Sequence, residues 1–575
     1  MYIELCCYGI ILNYHWTLKP NENEKTVSEL SEKLKIPTTL AKVLVVRGIT
    51  NIDSANKFFN PMLEDLYDPF LMHDMEKAVN RILDGIKNNE QFWIHGDYDV
   101  DGTSSVSLIT LFLREIGGAV DYFIPDRFQD GFGINERSIT TAIKKKATIL
   151  ITVDVGITSF EMLDLAAEHN IDTIVCDHHE PAETLPKAFA ILDPLKNSCN
   201  YPFKSLAACG VVFKLIQAIS IKLNNPDIAL KYLDFVAVST AADMVPVSDE
   251  NRIMLHYGLH KINNNPRLGF KSLIYCSGLK QGNISTPNII YSMAPLINAA
   301  GRLGKANRSV EMMLNPDEVK SFQIAQQLED ENRKRRVVDQ QLFDNALPIA
   351  KKQQAEGKHS IVICGENWHS GVIGIVASKL VERFHLPVVL LSKKGEQAKG
   401  SARCAHNFDM HSALKKCENL LVEFGGHKHA AGITIEVNKI EAFKDKFEDI
   451  VQEKLPKDML VPIMQIDSEL NFTELSPTFF KTINKFAPFG FSNPRPLFLT
   501  KGVKTSNGVK QIGFNKIKFR AKKDNFVIDA IAHNLNHKME IFQSSDPFSI
   551  LYNLDSYSFN GLQTPQLTIK DVRMD

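Results

Sequence analysis

Residues 24–90 carry apolar side chains every three to four positions, the spacing of amphipathic helices, and Thr26 and Ser54 read as cap-like helix starts. Beyond residue 90 the rhythm changes. Short apolar runs at 92–94, 120–124, 149–153, 173–176 and 189–192 alternate with helical stretches at 104–116, 136–145 and 159–168. This alternation predicts a parallel sheet with helices on its faces, a design that binds ligands at the carboxyl ends of its strands. Residues 315–355 are highly charged and helix-prone. Asn315, Pro316, Asp317 and Glu318 look like a capped helix start, and Val319, Phe322, Ile324, Ala325 and Leu328 form one apolar stripe. About 40 residues at ~1.5 Å each reach ~60 Å, enough to bridge two domains; Pro348 is expected to kink or end the helix. A second α/β region follows over 360–454. From about residue 460 short strand-like runs, such as 517–520 and 526–531, predict a small β-barrel or sandwich.

The expected fold class is therefore α/β, in five segments: a helical start (1–75), a parallel-sheet domain (76–310), a long connecting helix (311–357), a smaller α/β domain (358–458) and a β-module (459–575). The length, 575 residues, agrees with a prior of about four domains. An ordinary composition excludes a disordered, fibrous or disulfide-scaffold protein. The nine cysteines are odd in number and contain no C-x-x-C pair, which points to free thiols in a reducing cytoplasm. No run approaches the ~20 apolar residues of a membrane span. The first fourteen residues are apolar, but they carry Glu4 and no Lys or Arg precedes Lys19. We expect a non-native extra start or a short strand there, not a secretion signal.

The net charge of -1 looks neutral about nucleic acid, yet it hides a segregation. Residues 495–523 hold nine basic side chains and no Asp or Glu: Arg495, Lys501, Lys504, Lys510, Lys516, Lys518, Arg520, Lys522 and Lys523. Phe498, Phe514 and Phe519 are interleaved with them. A basic groove with stacking rings on a small barrel is how single strands are held. The alternative is a solvated lysine face that protects edge strands.

Candidate chemistry is concentrated at the predicted strand ends. His95, Asp97, Asp99, Asp101 and Gly102 directly follow the first apolar run. Three alternating aspartates repel one another, so a positive counter-charge is expected. An EF-hand is excluded, because its twelfth position would be Leu108 where a bidentate Glu is needed. Asp154 follows the third run, Asp177, His178 and His179 follow the fourth, and Asp243 follows an apolar segment at 235–238. Each alone reads as a turn, a cap or an ordinary histidine. Together, on one rim, they can hold two divalent cations, and mixed carboxylate and imidazole ligands suit Mn²⁺ or Mg²⁺.

This ordered set resembles the DHH phosphoesterase superfamily, which takes its name from the Asp177-His178-His179 triplet. Within it, Asp126-Arg127, Asn298 to Arg302, Gly400 to Arg403, and Gly425, Gly426, His427 and His429 resemble the branch of single-strand-specific exonucleases, from about residue 75 to the end. The resemblance implies a DHH domain, a DHH-associated domain and an OB-like barrel. It implies metal ligation by Asp99, Asp101, Asp154, His178 and Asp243, with His95 a ligand or near-ligand. It implies catalytic or supporting roles for Asp97, His179 and His427. Arg127, Arg302, Ser401 and Arg403 would hold the terminal phosphate and adjoining backbone, and Lys516, Lys518 and Arg520 the strand. The implied activity is two-metal 5′→3′ hydrolysis of single-stranded DNA to 5′-mononucleotides in repair and recombination, by a cytoplasmic monomer. Candidate partners are a single-strand-binding protein and a helicase. One rival is a phosphodiesterase for short oligonucleotides or cyclic dinucleotides, or a pyrophosphatase, none of which needs the basic β-module. A non-catalytic subunit is the other, and the intact metal positions argue against it.

Overall fold

The computed structural model describes residues 14–20, 23–127, 129–303, 306–405, 408–455, 461–513, 515–559 and 562–575. The expectation for the start of the chain falls mainly on residues 1–13 and, with the ring of Phe514, lies outside them.

Two compact units emerge, one from Asn60–Arg336 with Pro488–Pro494, the other from the chain up to Phe59 with Val337–Ala487 and Arg495–Asp575. The grouping does not follow the five successive segments. Residues 60–75 pack with the parallel-sheet domain, and Met72 and Met75 are in its core. The helices Glu24–Leu34, Thr38–Val46 and Ile52–Phe59 belong with the β-module. There Trp16 Nε1 donates to Asp571 (2.9 Å), Thr39 Oγ1 donates to Glu474, and His15–Leu18 pairs in parallel with Ile463–Ile466. Asn23 caps the first helix by accepting from the Thr26 N–H, and Asn51 serves the third by accepting from Ser54. Thr26 and Ser54 are thus inside the first turns and donate to the cap. Both are one-turn shifts of the expected starts.

The first unit is built on a five-stranded, all-parallel sheet of β1 (Gln91–Gly96), β2 (Ala119–Phe123), β3 (Ala147–Val153), β4 (Asp172–Cys176) and β5 (Ala190–Leu192), ordered β2-β1-β3-β4-β5. Strand alternation feeds two cores. Phe92, Ile94, Ile149, Ile151, Val153 and Ile174 face one, while Trp93, Leu150 and Val175 face the other. The first core is covered by α1 (Val100–Glu115), Ala208–Lys222 and α2 (Leu233–Ala242), the second by Glu136–Lys144 and Phe160–Glu168. The apolar segment at 235–238 is therefore helical and not a strand. It lies within α2, where residues 233–241 are all buried, so periodicity gives no polar face to reveal the helix.

Helix α3 (Glu318–Ala355) carries the chain out of this unit. Asp317, not Asn315, caps it, accepting from the N–H groups of Val319 and Lys320. Ala325 and Leu328 are buried, but Val319 is 64% exposed, so the stripe begins a turn later than expected. Pro348 lies inside the helix and does not end it.

In the second unit, β6 (Ile361–Glu366), β7 (Val388–Lys394), β8 (Gln397–Arg403), β9 (Glu423–His427) and β10 (Ala430–Glu436) form a mixed sheet ordered β9-β10-β8-β7-β6. It packs on α4 (Ser370–Phe384) on one face and on Ile440–Lys454 on the other. The tail forms a closed barrel of β11 (Phe498–Ile512), β12 (Lys516–Lys523), β13 (Phe526–His533), β14 (Phe548–Phe559) and β15 (Leu562–Met574), shut by pairing of β11 with β14. No helix among the described residues is long and apolar enough to cross a membrane.

Candidate metal centre

The ends of β1, β3 and β4 and the C-terminus of α2 bring seven Asp and His side chains together. Asp99 caps α1, its Oδ1 accepting from the N–H groups of Asp101 (2.9 Å) and Gly102 (3.1 Å). A Cβ on Gly102 would lie 2.4 Å from the Asp97 carbonyl oxygen, so only glycine lets the acidic loop fold this closely onto the helix. Asp154 takes a left-handed backbone (φ 64°), which costs a non-glycine residue roughly 1–3 kcal/mol, and its N–H donates to the Cys176 carbonyl (3.0 Å). That strain turns its carboxylate into the cluster.

Three overlapping groups result: Asp97, Asp99 and Asp154; Asp101, His178 and Asp243; and Asp154, His178 and His179. Within each, one ligand atom per residue lies within 4.8 Å of the others. His178 Nε2 is 3.3 Å from Asp154 Oδ1 and 3.8 Å from Asp101 Oδ2. Its Nδ1 is 3.1 Å from the Leu206 carbonyl, an acceptor, so Nδ1 donates there and Nε2 is the nitrogen turned toward the carboxylates. Asp101 is held by the Ala208 and Cys209 N–H groups (2.8 and 2.9 Å) and by the Ser239 hydroxyl (2.6 Å).

The electrostatics favour a cation. Burial, then the charge of Asp99, raises Asp97 to about 7. Burial, then Asp101, raises Asp243 to about 8. Asp99 is raised by burial and Asp101, and Asp154 well above the usual range by burial and the surrounding carboxylates. Asp97 Oδ1 is buried with no hydrogen-bond partner. An orphaned carboxylate oxygen among like charges is what a divalent cation would satisfy, so these residues fit a metal site.

Asp177 is not in these ligand groups. Its oxygens accept from the N–H groups of Ile157, His178 and His179 and from His179 Nδ1 (2.7 Å). Burial alone would raise Asp177, but the His179 bond and charge hold it below the usual range. Burial likewise would lower His179, and Asp177 reverses this, raising it to about 9. His179 is thus a cation whose orientation Asp177 sets.

His95 is elsewhere. It is fully buried, stacked on Phe123, with Nδ1 2.7 Å from Ser138 Oγ and Nε2 3.2 Å from the Gly133 carbonyl. Burial lowers it to about 4, so it is neutral. Both nitrogens are engaged by protein atoms, and the structure does not bring it into the three groups. Asp97, by contrast, joins the ligand clusters directly.

Arg127 lies over the Tyr98 ring at 5.5 Å. The helix Ala294–Leu303 passes the same tyrosine, since a Cβ on Gly301 would be 3.0 Å from its carbonyl oxygen. Arg127 and Arg302 therefore flank the acidic loop. In the second unit, Ser401 and Arg403 share one face of β8 and converge on α4. A Cβ on Gly374 would meet Arg403 Nη2 at 3.1 Å and Ser401 Oγ at 3.2 Å. His427 ends β9 and is exposed.

On the barrel, Lys516, Lys518, Arg520 and Lys522 alternate with buried Ile517, Phe519 and Ala521, so the cations share the outer face. Lys504 and Lys510 stand beside them on β11, and Asp529 of β13 is 3.3 Å from Arg520 and 3.8 Å from Lys518. Two of the nine basic residues are drawn elsewhere, Arg495 to Asp555 and Lys501 to Glu469. Phe498 and Phe519 are not stacking platforms. They point into the barrel core, because period-two alternation puts Phe519 on the face opposite its basic neighbours. Phe526, 40% exposed at the start of β13, pairs with Lys523 and so stands at the barrel's end, on the side opposite Lys518 and Arg520. Sequence reasoning missed Ser239, although that residue stands one turn before Asp243 on α2.

Comparison with known proteins agrees with this architecture. Residues 91–240 match the DHH family, N-terminal domain, residues 357–453 the DHHA1 domain, and residues 466–571 the RecJ OB domain. The chain is 34% identical over 561 residues to the single-stranded-DNA-specific exonuclease RecJ of Bacillus subtilis (strain 168), covering 97% of this chain and 70% of that one. It is 31% identical over 568 residues to RecJ of Dickeya dadantii (strain 3937), covering 95% and 97%. The crystal structure of RecJ in complex with Mn²⁺ from Thermus thermophilus superposes with a TM-score of 0.81 at 25% identity, covering 98% of this chain and 79% of that one. With the parallel sheet, its acidic rim and the closed barrel all accounted for, the chain belongs to the RecJ family of single-stranded-DNA-specific exonucleases.

Proposed function

We propose that this protein is a metal-dependent exonuclease that degrades single-stranded DNA in the 5′→3′ direction to 5′-mononucleotides, in repair and recombination. The observation that carries the reading is the convergence of five carboxylates and two imidazoles, with Asp97, Asp101 and Asp154 buried and one Asp97 oxygen orphaned. Asp97, Asp99 and Asp154 would hold one cation, and Asp101, His178 and Asp243 a second. Divalent cations there supply charge neutralisation of the phosphoryl oxygens and a more acidic water for in-line attack.

The remaining work falls to the chain. Leu206 and Ser239 keep His178 and Asp101 in ligating orientation. His179, held cationic by Asp177, donates a hydrogen bond to a phosphoryl oxygen from Nε2. Arg127 and Arg302 hold backbone phosphates. Ser401, Arg403 and His427 serve the 5′-terminal phosphate, which sets the polarity. The outer face of β12 holds the strand beyond through Lys516, Lys518 and Arg520. His95, neutral and bonded to Ser138, supports the floor of the acidic loop.

A monomer suffices for the metal centre, since one chain supplies all seven groups. Cytoplasmic action suits the free cysteines among the described residues. A helicase that supplies single strands and a protein that coats them are fitting partners. The test is a time course on end-labelled single- and double-stranded DNA with and without Mn²⁺. The expected result is metal-dependent release of mononucleotides from the 5′ end of the single strand. Equal rates on duplex, or release from the 3′ end, would refute it.

A further inference from the structure

Helices α1 and α2 carry metal-centre residues at one end only. Asp99 and Asp101 stand at the N-terminus of α1, and Asp243 at the C-terminus of α2. Their other ends meet again, ~24 Å along the 16-residue α1 and ~15 Å along the 10-residue α2. There they line a cavity of about 570 Å³ that also takes in Lys261 and Arg267.

Four cationic side chains line it, Arg114, Lys231, Lys261 and Arg267, against the single carboxylate of Glu115. Their partners show which charge is already spent. Arg267 grips the buried Asp234 through Nε (2.7 Å) and Nη2 (2.8 Å). Lys231 pairs with Glu115, which also accepts from the Tyr232 hydroxyl (2.6 Å). These contacts form a fixed wall. Arg114 has only a carbonyl partner, Val120 (3.1 Å), and Lys261 has no polar partner among the described residues. Two positive charges thus remain uncompensated in a cavity far larger than one water.

We propose that this cavity binds a phosphate-bearing ligand, separately from the metal centre. Guanidinium and ammonium groups lining one cavity match phosphate oxygens, and the cavity volume admits a nucleotide-sized anion. The phosphate can belong to a free nucleotide or to a DNA backbone. The bound anion touches the far ends of two helices whose near ends present Asp101 and Asp243, which Ser239 of α2 joins by its bond to Asp101.

The test uses the full chain in EDTA at low salt, with dAMP and a 5′-hydroxyl oligothymidine as probes in calorimetry. R114E/K261E is expected to weaken one probe at least ~tenfold, while K87E, a charge reversal at an exposed position outside the cavity and the metal centre, does not. Loss of dAMP binding identifies a nucleotide site, and loss of oligothymidine binding a backbone site. K261A alone guards against misfolding: it removes no polar contact and should lower affinity with an unchanged melting temperature. Exonuclease activity without added nucleotide should persist in both variants. Unchanged affinity for both probes in R114E/K261E, or no binding of either probe to the unmodified chain, overturns the proposal. Unchanged affinity in R114E/K261E leaves the hydrolysis and the barrel's hold on the strand untouched, whereas absence of oligothymidine binding would count against that hold as well.

Discussion

Replacing Asp97 by Asn should stabilise the metal-free protein and destroy its response to metal. Asp97 is 5% exposed, and burial together with the Asp99 charge raises it from 3.8 to about 7. Because the folded value lies above the unfolded one, the ionised side chain opposes folding. The penalty is absent below about pH 3.8, grows as pH rises, and is complete above about pH 7. That interval, at ~1.4 kcal/mol per pH unit, is ~4 kcal/mol. Asparagine leaves a buried amide incompletely bonded, which costs ~1–3 kcal/mol. A net gain of ~1–3 kcal/mol is expected, or several degrees of melting temperature for a unit of this size. Thermal unfolding in EDTA would be followed at about pH 6 and about pH 8, then with Mn²⁺. The variant should exceed the parent more at the higher pH, gain little from Mn²⁺, and lose at least ~100-fold in hydrolysis. A variant equal to or below its parent at about pH 8 in EDTA would refute the claim that unbalanced carboxylates make this a cation site.

Three further outcomes follow from named contacts. His178→Ala should abolish hydrolysis while single-stranded DNA binding, measured by anisotropy, persists; retained activity would remove His178 from the metal centre. Lys518→Glu with Arg520→Glu should weaken strand affinity and flatten its salt dependence by about one to two in log–log slope, since the two share the one carboxylate of Asp529, whereas the same change at Lys501, paired one to one with Glu469, should do much less. Glu448, 4% exposed, accepts from the His359 and Ser360 N–H groups and is held below the usual carboxylate range despite its burial. Its contribution is present above the unfolded value of 4.5 and lost as pH falls through the folded one, so Glu448→Gln should lower the second unit's stability by ~1–3 kcal/mol near neutral pH and little in acid, read by denaturant unfolding.

Much of the site was legible because its chemistry is local. Asp97, Asp99 and Asp101 sit between a strand and a helix that both show in the hydrophobic pattern, and Asp154, His178 and His179 follow strands of the same kind. Parallel strands in one sheet must present their ends on one rim, so residues more than eighty positions apart could be grouped from periodicity alone. The orientation of His95 was not legible for a related reason. Chain position put it at the strand end, but whether an imidazole faces the rim or the core depends on Gly133 and Ser138, which arrive from the distant loop and helix at 133–144.

The amino-acid order by itself determined the element sequence, the acidic rim and the basic tail, since these depend on neighbours two to four residues apart. Tertiary structure decided what needed partners distant in sequence. It made residues 233–242 a helix inside a core, where no amphipathic signal survives. It turned Phe498 and Phe519 into the barrel and left Phe526 outside. It joined the N-terminal helices to the β-module through Trp16 and Thr39. It also raised the Asp97 and Asp243 carboxyls far above their ordinary range, because burial and like charges act through space and not along the chain.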